Sequence, residues 1–578
     1  MKEVEIKQRD SRGWQSLPED WPACLRRVMA ARGIQKTEDL FFALTDLPRP
    51  QQMLGMDEAV SLLSQALKAQ WKVTVVADFD SDGASSCALA IRGLKAMGLR
   101  QIDFIVPNRF IHGYGLTPEL LEEIPLKDQP DLLLTVDNGI AAIAGINAAK
   151  VRGIKVLVTD HHLAGDSLPE ADAIVNPNQP GDRFPSKNLA GVGVCFYLLL
   201  GLRQALREQN WFEQQGLKEP NISDYLDLVA LGTVADVVPL DKLNRTLVDL
   251  GLKRIRQRRS CAGIQALIQV AGREAAKLAS ADLAFSVAPR LNAAGRMEDM
   301  GLGINLLLAD DSQQALAMAS QLDQINQERR AVEQQMQEDA LNMLDKLSLQ
   351  TESPAPGFCL FDTDWHQGVI GLLASRIKEK VHRPVIAFAP GQEGEIKGSA
   401  RSIAGVHIRD VLARIASLHP DMLQRFGGHA MAAGLTLRQD DYQAFVKAFE
   451  TALTDMVDPA VYQQALYSDG ELHSQDINLA LAEQLPFAAP WGQGFEEPRF
   501  HGVFEVADWR LVGQDQTHLR LSLSLPDSRL VTAMAFRQGK PDWLERGESV
   551  LIRYRLAVNE YRASKTVQLL VDDIFPPV

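Results

Sequence analysis

The sequence predicts an α/β protein with a parallel sheet, a second and smaller α/β domain, and a small antiparallel β-barrel at the end. Three patterns carry this prediction. From residue 71, short apolar, β-branched runs alternate with helix-forming stretches, a pattern typical of parallel βαβ units. A single helical pattern covers residues 311–348. Five strand-like runs with little helix between them then close the chain, which favours a barrel of the OB type.

Composition limits the class of protein. The 578 residues are 46% hydrophobic and 23% charged, as in soluble globular proteins with several domains. The net charge of −14 means that any nucleic acid has to be held by local basic patches. Five scattered cysteines without a C-x-x-C pair argue against disulfides or a zinc ribbon. Without a signal-like start, and with an apolar run at 190–202 too short for a bilayer, we expect a cytoplasmic protein and a buried helix there.

The same patterns predict the domain boundaries. Residues 311–350 form a connector helix packed on one side, because their apolar positions follow steps of three and four. The segment TESPAPG (351–357) then gives a Pro/Gly stop. The predicted parts are a helical lead-in without an assigned function (1–70), a first α/β domain (71–310), the connector helix (311–350), a second α/β domain (351–457) and the barrel domain (458–578).

Acidic residues and histidines follow three of the four predicted strands of the first domain. The four runs are VTVVADFD (73–80), IDFIVP (102–107), LLLTVDNG (132–139) and KVLVTDHH (155–162). In parallel sheets, ligands bind beyond the carboxyl ends of the strands. The functional site is therefore predicted at this edge.

The segment Asp78-Phe-Asp80-Ser-Asp82-Gly83 carries three carboxylates in six residues. Such carboxylates repel one another, so a hard divalent cation such as Mg²⁺ or Mn²⁺ is expected to hold them. An EF-hand calcium loop fails, since its twelfth position needs Glu and is Leu89 here. A solvated acidic turn remains the alternative.

Further ligand types follow from other segments. Asp137 follows LLLTV, although it could be a helix N-cap, and Asp236 is a lone acid among apolar residues. Asp160 precedes the pair His161 and His162, and imidazole is the usual nitrogen ligand for Mn²⁺ or Zn²⁺. So many ligands suit two metals about 3.5–4 Å apart that share a carboxylate. Phosphoester hydrolysis is the default chemistry of such a pair.

These motifs resemble a known family. ADFDSDG, TVDNG, TDHH and GTVADVVPL, in this order, resemble the four motifs of the DHH phosphoesterase superfamily. FGGHAMAAG (426–434) is similar to the glycine-rich signature of its DHHA1 domain. PNRFIHGYGL, APRLNAAGRM, DWHQGVIGLLASRI and GSARS narrow the resemblance to the RecJ family of single-strand-specific 5′→3′ DNA exonucleases. It covers residue 70 to the C-terminus and implies a DHH catalytic domain, a DHHA1 substrate-binding domain and an OB-like nucleic-acid-binding domain.

The resemblance also implies roles for individual residues. It implies the metal ligands Asp78, Asp80, Asp82, Asp137, His161 and Asp236, with Asp137 as the bridge and Asp78 either a ligand or just behind the metal. His162 would lie beside the scissile phosphate, and Asp160 would orient the imidazoles. Arg109, Ser399 and Arg401 would grip phosphates near the 5′ end, Gly427, Gly428 and His429 would present backbone N–H groups to the strand, and Arg290, Asn292 and Arg296 would face the nucleic acid.

Several of these basic and glycine positions have plainer alternatives. Arg109 could be a surface arginine, and the glycine pair could be a simple turn. The basic residues of 253–259, which have no obvious acidic partner, could track DNA or form a solvated helix face. In the barrel, strand alternation puts Tyr554 on the opposite side from Arg553 and Arg555, so the three cannot serve one surface.

The expected function is hydrolysis of single-stranded DNA from the 5′ end with two Mn²⁺ or Mg²⁺ ions, releasing 5′-mononucleotides in recombination and repair. The resemblance implies a single-stranded-DNA-binding protein and an upstream helicase as partners, and we expect a monomer without membrane contact. One alternative is a sibling phosphodiesterase acting on short oligoribonucleotides, cyclic dinucleotides or polyphosphate. The other is a non-catalytic DNA-binding scaffold, which the complete set of acids argues against.

Overall fold

The computed structural model describes residues 5–348, 355–392, 394–513, 516–561 and 564–576. It divides into two compact units, one made mainly of residues 324–466 and the other of residues 7–323 and 467–578. Within the described ranges, no helix has the length and apolar character needed to cross a membrane.

The N-terminal region contains strand β1 (Glu5–Gln8) and helices α1 (Ala23–Ala30) and α2 (Met56–Ala69), with short 3₁₀ turns between them. Helix α2 begins after Gly55, whose φ is 78°. A Cβ atom there would lie 2.0 Å from the carbonyl oxygen of Ile174. Only glycine therefore lets this helix start so close to the neighbouring backbone.

A five-stranded parallel sheet forms the centre of the first α/β domain. Its strands are β2 (Val73–Ala77), β3 (Ile102–Ile105), β4 (Leu132–Val136), β5 (Lys155–Thr159) and β6 (Ala173–Val175). Their order is β3-β2-β4-β5-β6, and every neighbouring pair is parallel. The four predicted strands are confirmed, whereas the three-residue β6 gave too short a run to be noticed. The chain runs from β2 outward to β3 and then crosses to the other side of β2 to form β4. The loops that follow the adjacent strands β2 and β4 therefore leave in opposite directions and make room for a ligand at the carboxyl edge.

Helices cover the sheet and extend the domain. They are α3 (Ser81–Ala96), α4 (Pro118–Glu122), α5 (Ile143–Val151), α6 (Gly191–Glu208), α7 (Trp211–Gln214), α8 (Leu226–Ala235), α9 (Lys242–Arg256), α10 (Ala262–Val270), α11 (Ser280–Asp282), α12 (Ala288–Met297) and α13 (Gly301–Leu308). The apolar run that was predicted as a buried helix is confirmed as the first part of α6. A π-helical turn, Leu283–Val287, leads into α12.

The long helix α14 (Ser312–Ser348) is present, and Leu322, Ile325 and Met336 on its apolar side are buried. The second α/β domain follows with β7 (Phe358–Phe361), α15 (Ile370–Val381), β8 (Val385–Pro390), β9 (Glu395–Arg401), α16 (Ile408–Leu418), β10 (Arg425–Gly428), β11 (Ala432–Arg438) and α17 (Tyr442–Met456). Its sheet has the order β10-β11-β9-β8-β7, and only β7 and β8 are parallel. The predicted stop at 351–357 begins outside the described residues.

The C-terminal region forms a closed barrel, as predicted. After β12 (Ala465–Ser468) and α18 (Leu479–Gln484), its strands are β13 (Phe500–Val512), β14 (His518–Ser524), β15 (Leu530–Ala535), β16 (Ser549–Tyr561) and β17 (Ser564–Phe575). The strand order is β13-β14-β15-β17-β16. The pair β15 and β17 is parallel, so the expectation of a wholly antiparallel barrel is wrong at this one pair, where the strands that close the barrel run in the same direction. Closure removes free strand edges. The predicted fold class is thereby confirmed.

Candidate metal centre and nucleic-acid contacts

The acidic segment after β2 is held in place by the start of α3. Asp80 is the N-cap of this helix, and its Oδ1 accepts hydrogen bonds from the N–H of Asp82 (2.9 Å) and of Gly83 (3.1 Å). A Cβ on Gly83 would lie 2.4 Å from the carbonyl oxygen of Asp78. The glycine is therefore needed for the tight turn that brings the three carboxylates together.

The carboxylate of Asp82 is fixed from another helix. It accepts hydrogen bonds from the N–H groups of Gly191 (2.6 Å) and Val192 (3.0 Å), at the N-terminus of α6. Glycines again allow the close approach, since a Cβ on Gly191 or on Gly232 would lie 2.6 Å from Asp137 and Asp82, respectively. These contacts restrict Asp82 to one orientation.

His161 joins the remaining carboxylates. Its Nε2 lies 3.2 Å from Oδ1 of Asp137 and 3.4 Å from Oδ2 of Asp236. Asp137 has a φ of 61°, a left-handed conformation that aspartate tolerates better than most residues. Three sets of ligand atoms lie within 4.8 Å of one another: Asp137, His161 and His162; Asp82, His161 and Asp236; and Asp78, Asp80 and Asp137. Asp137 and His161 each belong to two sets, which supports a bridged pair of sites.

The electrostatics of this cluster call for a cation. Burial, followed by repulsion from neighbouring aspartates, raises the pKa of Asp78, Asp137 and Asp236 well above the ordinary value, and that of Asp82 to about 7. The buried Oδ1 of Asp137 accepts no hydrogen bond from the residues that the structure describes. Carboxylate oxygens with an imidazole nitrogen are a donor set that fits Mn²⁺ or Mg²⁺.

Asp160 and His162 form a separate pair beside the cluster. Oδ1 of Asp160 lies 2.7 Å from Nδ1 of His162 and also accepts the N–H of His161. Its Oδ2 accepts the N–H of Ile140. Burial alone would lower the pKa of His162, but the hydrogen bond and charge of Asp160 raise it to about 9. Asp160 thus orients the ring and favours its protonated form.

Tyr114 is a residue of the site that the sequence analysis did not assign. Its hydroxyl donates to the carbonyl oxygen of Asp137 (3.1 Å) and lies 3.3 Å from the ring nitrogens of His162. The residue stands inside the quoted motif PNRFIHGYGL. Its place in that motif was the only signal, because a tyrosine in a loop carries no chemical pattern of its own.

Arg109 lies against the acidic segment rather than on an open surface. Its guanidinium is 4.1 Å above the ring of Phe79, and burial lowers the pKa of the group although Asp78 and Asp80 raise it. Its Nε is buried without a hydrogen-bond partner in the described part of the chain. A partly buried arginine with an unsatisfied donor is suited to a phosphate.

The three residues predicted on α12 make different contacts. Nε of Arg290 lies 2.8 Å from Oδ1 of Asp323, which compensates its charge. Oδ1 of Asn292 accepts hydrogen bonds from the N–H (2.8 Å) and the hydroxyl (2.9 Å) of Ser81. Asn292 therefore braces the start of α3, and the half-buried Arg296 lies near the end of α12.

In the second α/β domain, Ser399 and Arg401 lie on β9. Nη1 of Arg401 donates to the hydroxyl of Ser399 (3.0 Å), and burial lowers the pKa of the guanidinium. A Cβ on Gly371, in α15, would lie 2.8 Å from Nη2 of Arg401. No carboxylate within the described ranges forms an ion pair with Arg401, so a partly buried guanidinium stays without an acidic partner at this place.

The glycine-rich segment forms the edge of the same sheet. Gly427 and Gly428 belong to β10, and the N–H of His429 donates to the carbonyl oxygen of Ala432 (2.8 Å). Gly428 has a φ of 141°, and a Cβ on it would lie 2.4 Å from that same carbonyl oxygen. This hairpin therefore requires glycine at 428 for geometry alone, whatever else it binds.

The basic groups elsewhere are largely compensated by acids. In the barrel, Arg553 pairs with Asp573 (2.6 Å), Arg555 pairs with Glu497 and Asp572, and Tyr554 is fully buried on the other side of the strand. On α9, Lys253 pairs with Asp249 (2.6 Å) and Arg254 with Asp224 (2.9 Å). The expectation that the 253–259 cluster lacks acidic partners is therefore wrong. Asp249 lies one helical turn before Lys253, and Asp224 comes from the segment before α8.

Three family models match the chain. They are the DHH family, N-terminal domain (residues 72–233), the DHHA1 domain (355–455) and the RecJ OB domain (468–573). Among curated proteins, the single-stranded-DNA-specific exonuclease RecJ of Salmonella typhimurium is 45% identical over 574 residues, 99% of each chain.

Two solved structures of a RecJ protein match the whole of this chain. RecJ from Thermus thermophilus in complex with Mn²⁺ matches with a TM-score of 0.79 at 30% identity, covering 100% of this chain and 79% of that one. The complex of the same protein with Mg²⁺ matches with a TM-score of 0.75 at 28% identity, covering 100% and 78%.

Proposed function

The chain belongs to the RecJ family, and we propose that it is a single-stranded-DNA-specific exonuclease that works from the 5′ end and releases 5′-mononucleotides. The observation that carries the proposal is the buried cluster of carboxylates around His161, in a chain 45% identical to a named RecJ exonuclease over nearly its whole length. The direction of digestion and the nature of the product rest on the family resemblance.

We propose that two divalent cations, Mn²⁺ or Mg²⁺, are held by six residues. These are Asp78, Asp80, Asp82, Asp137, His161 and Asp236. When bound, such a pair lowers the pKa of water and stabilises charge on the attacking and leaving oxygens at phosphorus. Asp137 is assigned as the shared ligand because it belongs to two of the three compact ligand sets and, unlike His161, which does so too, has two carboxylate oxygens that can each bind a cation.

The residues beside the cluster position the reacting groups. His162 in its protonated form donates Nδ1–H to Asp160, which leaves Nε2–H to donate to a phosphate or leaving oxygen. The hydroxyl of Tyr114 donates a hydrogen bond to the backbone carbonyl of Asp137 and also contacts the ring of His162, so it holds these two residues in a fixed relative position. Arg109 and Arg401, which have no carboxylate ion pair within the described residues, are assigned to phosphates of the strand, with Ser399 supporting Arg401.

The remaining assignments concern the substrate strand and the cellular setting. Gly427, Gly428, His429 and Arg296 are proposed strand contacts. Arg290 instead links α12 to α14, and Asn292 links α12 to α3. The family also suggests recombination and repair as the setting, with a single-stranded-DNA-binding protein and an upstream helicase as partners. We propose a monomer that works in the cytoplasm.

The test is digestion of single-stranded DNA labelled at either end, with a blunt duplex as control, in Mn²⁺, Mg²⁺ or EDTA. We expect metal-dependent release of mononucleotides from the 5′ end of the single strand and none from the duplex. Cleavage confined to very short oligonucleotides would assign a sibling phosphodiesterase activity instead. Tight strand binding without cleavage in either metal would overturn the enzymatic proposal.

A further inference from the structure

A cavity of about 630 Å³ lies beside the loop that carries Asp236. One wall is the segment 233–238 without Asp236 itself, whose carboxylate is directed towards His161. The lining also includes residues from 491–499 and Arg555 of the C-terminal region, in the same compact unit. Cavities of this volume with mainly apolar linings are typical ligand sites. The cavity and the metal cluster thus share one loop.

Two apolar side chains at the cavity are left in water. Phe285 is 76% exposed and Val237 is 61% exposed, while Leu240 and Trp491 below them are buried. Large apolar groups exposed at the rim of a cavity indicate a surface that another molecule covers.

The backbone at both positions departs from regular structure. Val237 has a φ of 61°, a left-handed conformation that is a true outlier for a β-branched residue. Phe285 stands in the π-helical turn Leu283–Val287, and such turns occur frequently at functional sites. The fold therefore holds both side chains at the cavity against local preference.

The charges around the cavity argue for a neutral ligand group. Its lining contains two acids, Glu496 and Glu497, and two bases, Arg499 and Arg555. Arg555 pairs with Glu497 (3.2 Å) and Asp572 (3.3 Å), and Arg499 also pairs with Asp572 (2.9 Å). A phosphate would find no unbalanced cation there. A flat aromatic group with polar edges, by contrast, would meet an aromatic ring and both donors and acceptors.

We propose that this cavity binds a nucleobase of the DNA strand, close to the linkage being cleaved, with the ring of Phe285 stacked on the base. The inference rests on the proposed function, because it places the substrate strand across the loop of Asp236. Stacking on an aromatic side chain tolerates every base, as a sequence-independent exonuclease requires. An unpaired base can enter the cavity, whereas a base held in a duplex cannot.

The test is a double-mutant cycle in which one change is Phe285→Ala in the protein and the other is the removal of one base from the DNA substrate. Single-stranded oligonucleotides carry one abasic residue at successive positions from the 5′ end, and KM and kcat are measured in Mn²⁺. We expect F285A to raise KM about tenfold on the intact strand, the range of one base–aromatic stack. At one position, the abasic residue should raise the KM of the wild type by a similar factor and that of F285A by less than about twofold, since coupled partners are not additive.

Matched variants separate this role from a structural one. F285Y, which keeps the ring, should restore the wild-type KM, and the melting temperature of F285A should be unchanged because the side chain is mostly in solvent. Leu126→Ala is the control, since Leu126 is equally exposed (75%) but precedes β4, at the amino edge of the sheet.

If the wild type digests DNA but F285A shows no coupling to any abasic position, the cavity is not a base site and this proposal is overturned. If the wild type itself fails to digest DNA, the proposed function fails first.

Discussion

The carboxyl edge of the parallel sheet and the surface of the barrel differ in how their charges are compensated. Like charges are clustered at the sheet edge, whereas opposite charges are paired on the barrel. At the sheet edge, five aspartates converge on two histidines, and burial with mutual repulsion raises the pKa of four of them. On the barrel, Arg553 and Arg555 each meet a carboxylate on a neighbouring segment. An unbalanced charge therefore indicates a site that can bind a ligand of opposite charge, whereas a balanced charge indicates a structural role.

The same distinction separates the arginines from one another. Arg290 and Arg553 have carboxylate partners, so their charges are satisfied within the protein. Arg109 and Arg401 are partly buried and form no carboxylate ion pair in the described ranges. The number of arginines in a segment is therefore a poor guide to nucleic-acid contact. The absence of a carboxylate partner is a better guide to which arginines can bind a phosphate.

The largest effect is expected at the unbalanced acids. Asp137→Asn should lower the rate of DNA cleavage at least about a thousandfold, or ~4 kcal/mol, because both cations lose a shared ligand. The metal-free protein should melt at the same or a higher temperature, since a repelled charge is removed. Rates and melting curves with and without Mn²⁺ check this. Asp128→Asn, an exposed aspartate of the same domain, should change neither, and a strongly destabilised D137N would contradict the account.

The next effect is on stability as a function of pH. The folded metal-free protein holds a proton on Asp82 up to about pH 7, whereas the unfolded chain releases it near pH ~4. The folded state therefore binds more protons between these values, and its stability falls as the pH rises from about 4 to about 7. Melting in EDTA should drop by several degrees over this interval.

Mn²⁺ and Asp82→Asn should each reduce this pH dependence, because the cation or the amide removes the cost of the buried charge. Stability that rose with pH in EDTA would show that basic groups of the protein already balance the negative charge of the aspartates. The acidic residues at the sheet edge would then be paired, as the arginines of the barrel are.

A smaller effect is expected from the uncompensated arginine of the second α/β domain. Arg401→Ala should raise KM about tenfold for a 5′-phosphorylated strand and less for a 5′-hydroxyl strand, as one charged phosphate contact is lost. R401K should recover only part, since lysine lacks the guanidinium fork. Arg553→Ala is the matched variant, and its KM should stay within about twofold of the wild type. Equal increases in KM for R401A and R553A would contradict the argument that arginines without a carboxylate ion pair are the ones that bind the strand.

The smallest effect is expected at Tyr114. Tyr114→Phe removes one hydrogen bond to the backbone of Asp137 and one polar contact with His162, so kcat should fall about threefold to tenfold, or ~1 kcal/mol. KM should not change, because no substrate group is lost. Steady-state kinetics beside Tyr561→Phe, an exposed tyrosine of the barrel, gives the comparison. A change in KM alone would assign Tyr114 to strand binding instead.

Much of the fold could be predicted from local pattern. The four longer sheet strands, the buried helix α6, the long helix α14 and the five barrel strands all follow from the period of apolar residues. Strand β6, with three residues, and the π-helical turn at Leu283–Val287 left no such period. Short elements are set by their neighbours in space, which local patterns do not contain.

The acidic edge of the sheet was already specified by the order of residues along the chain. Aspartates and histidines that directly follow parallel strands must come to one edge, because parallel strands end side by side. The order of residues could not specify which basic groups are free to bind, since the acids that pair with Arg290 and Arg555 come from distant segments. Nor could it show that Phe285 stands in water beside the loop of Asp236. Those properties depend on long-range packing, so they are fixed when the domains fold and not before.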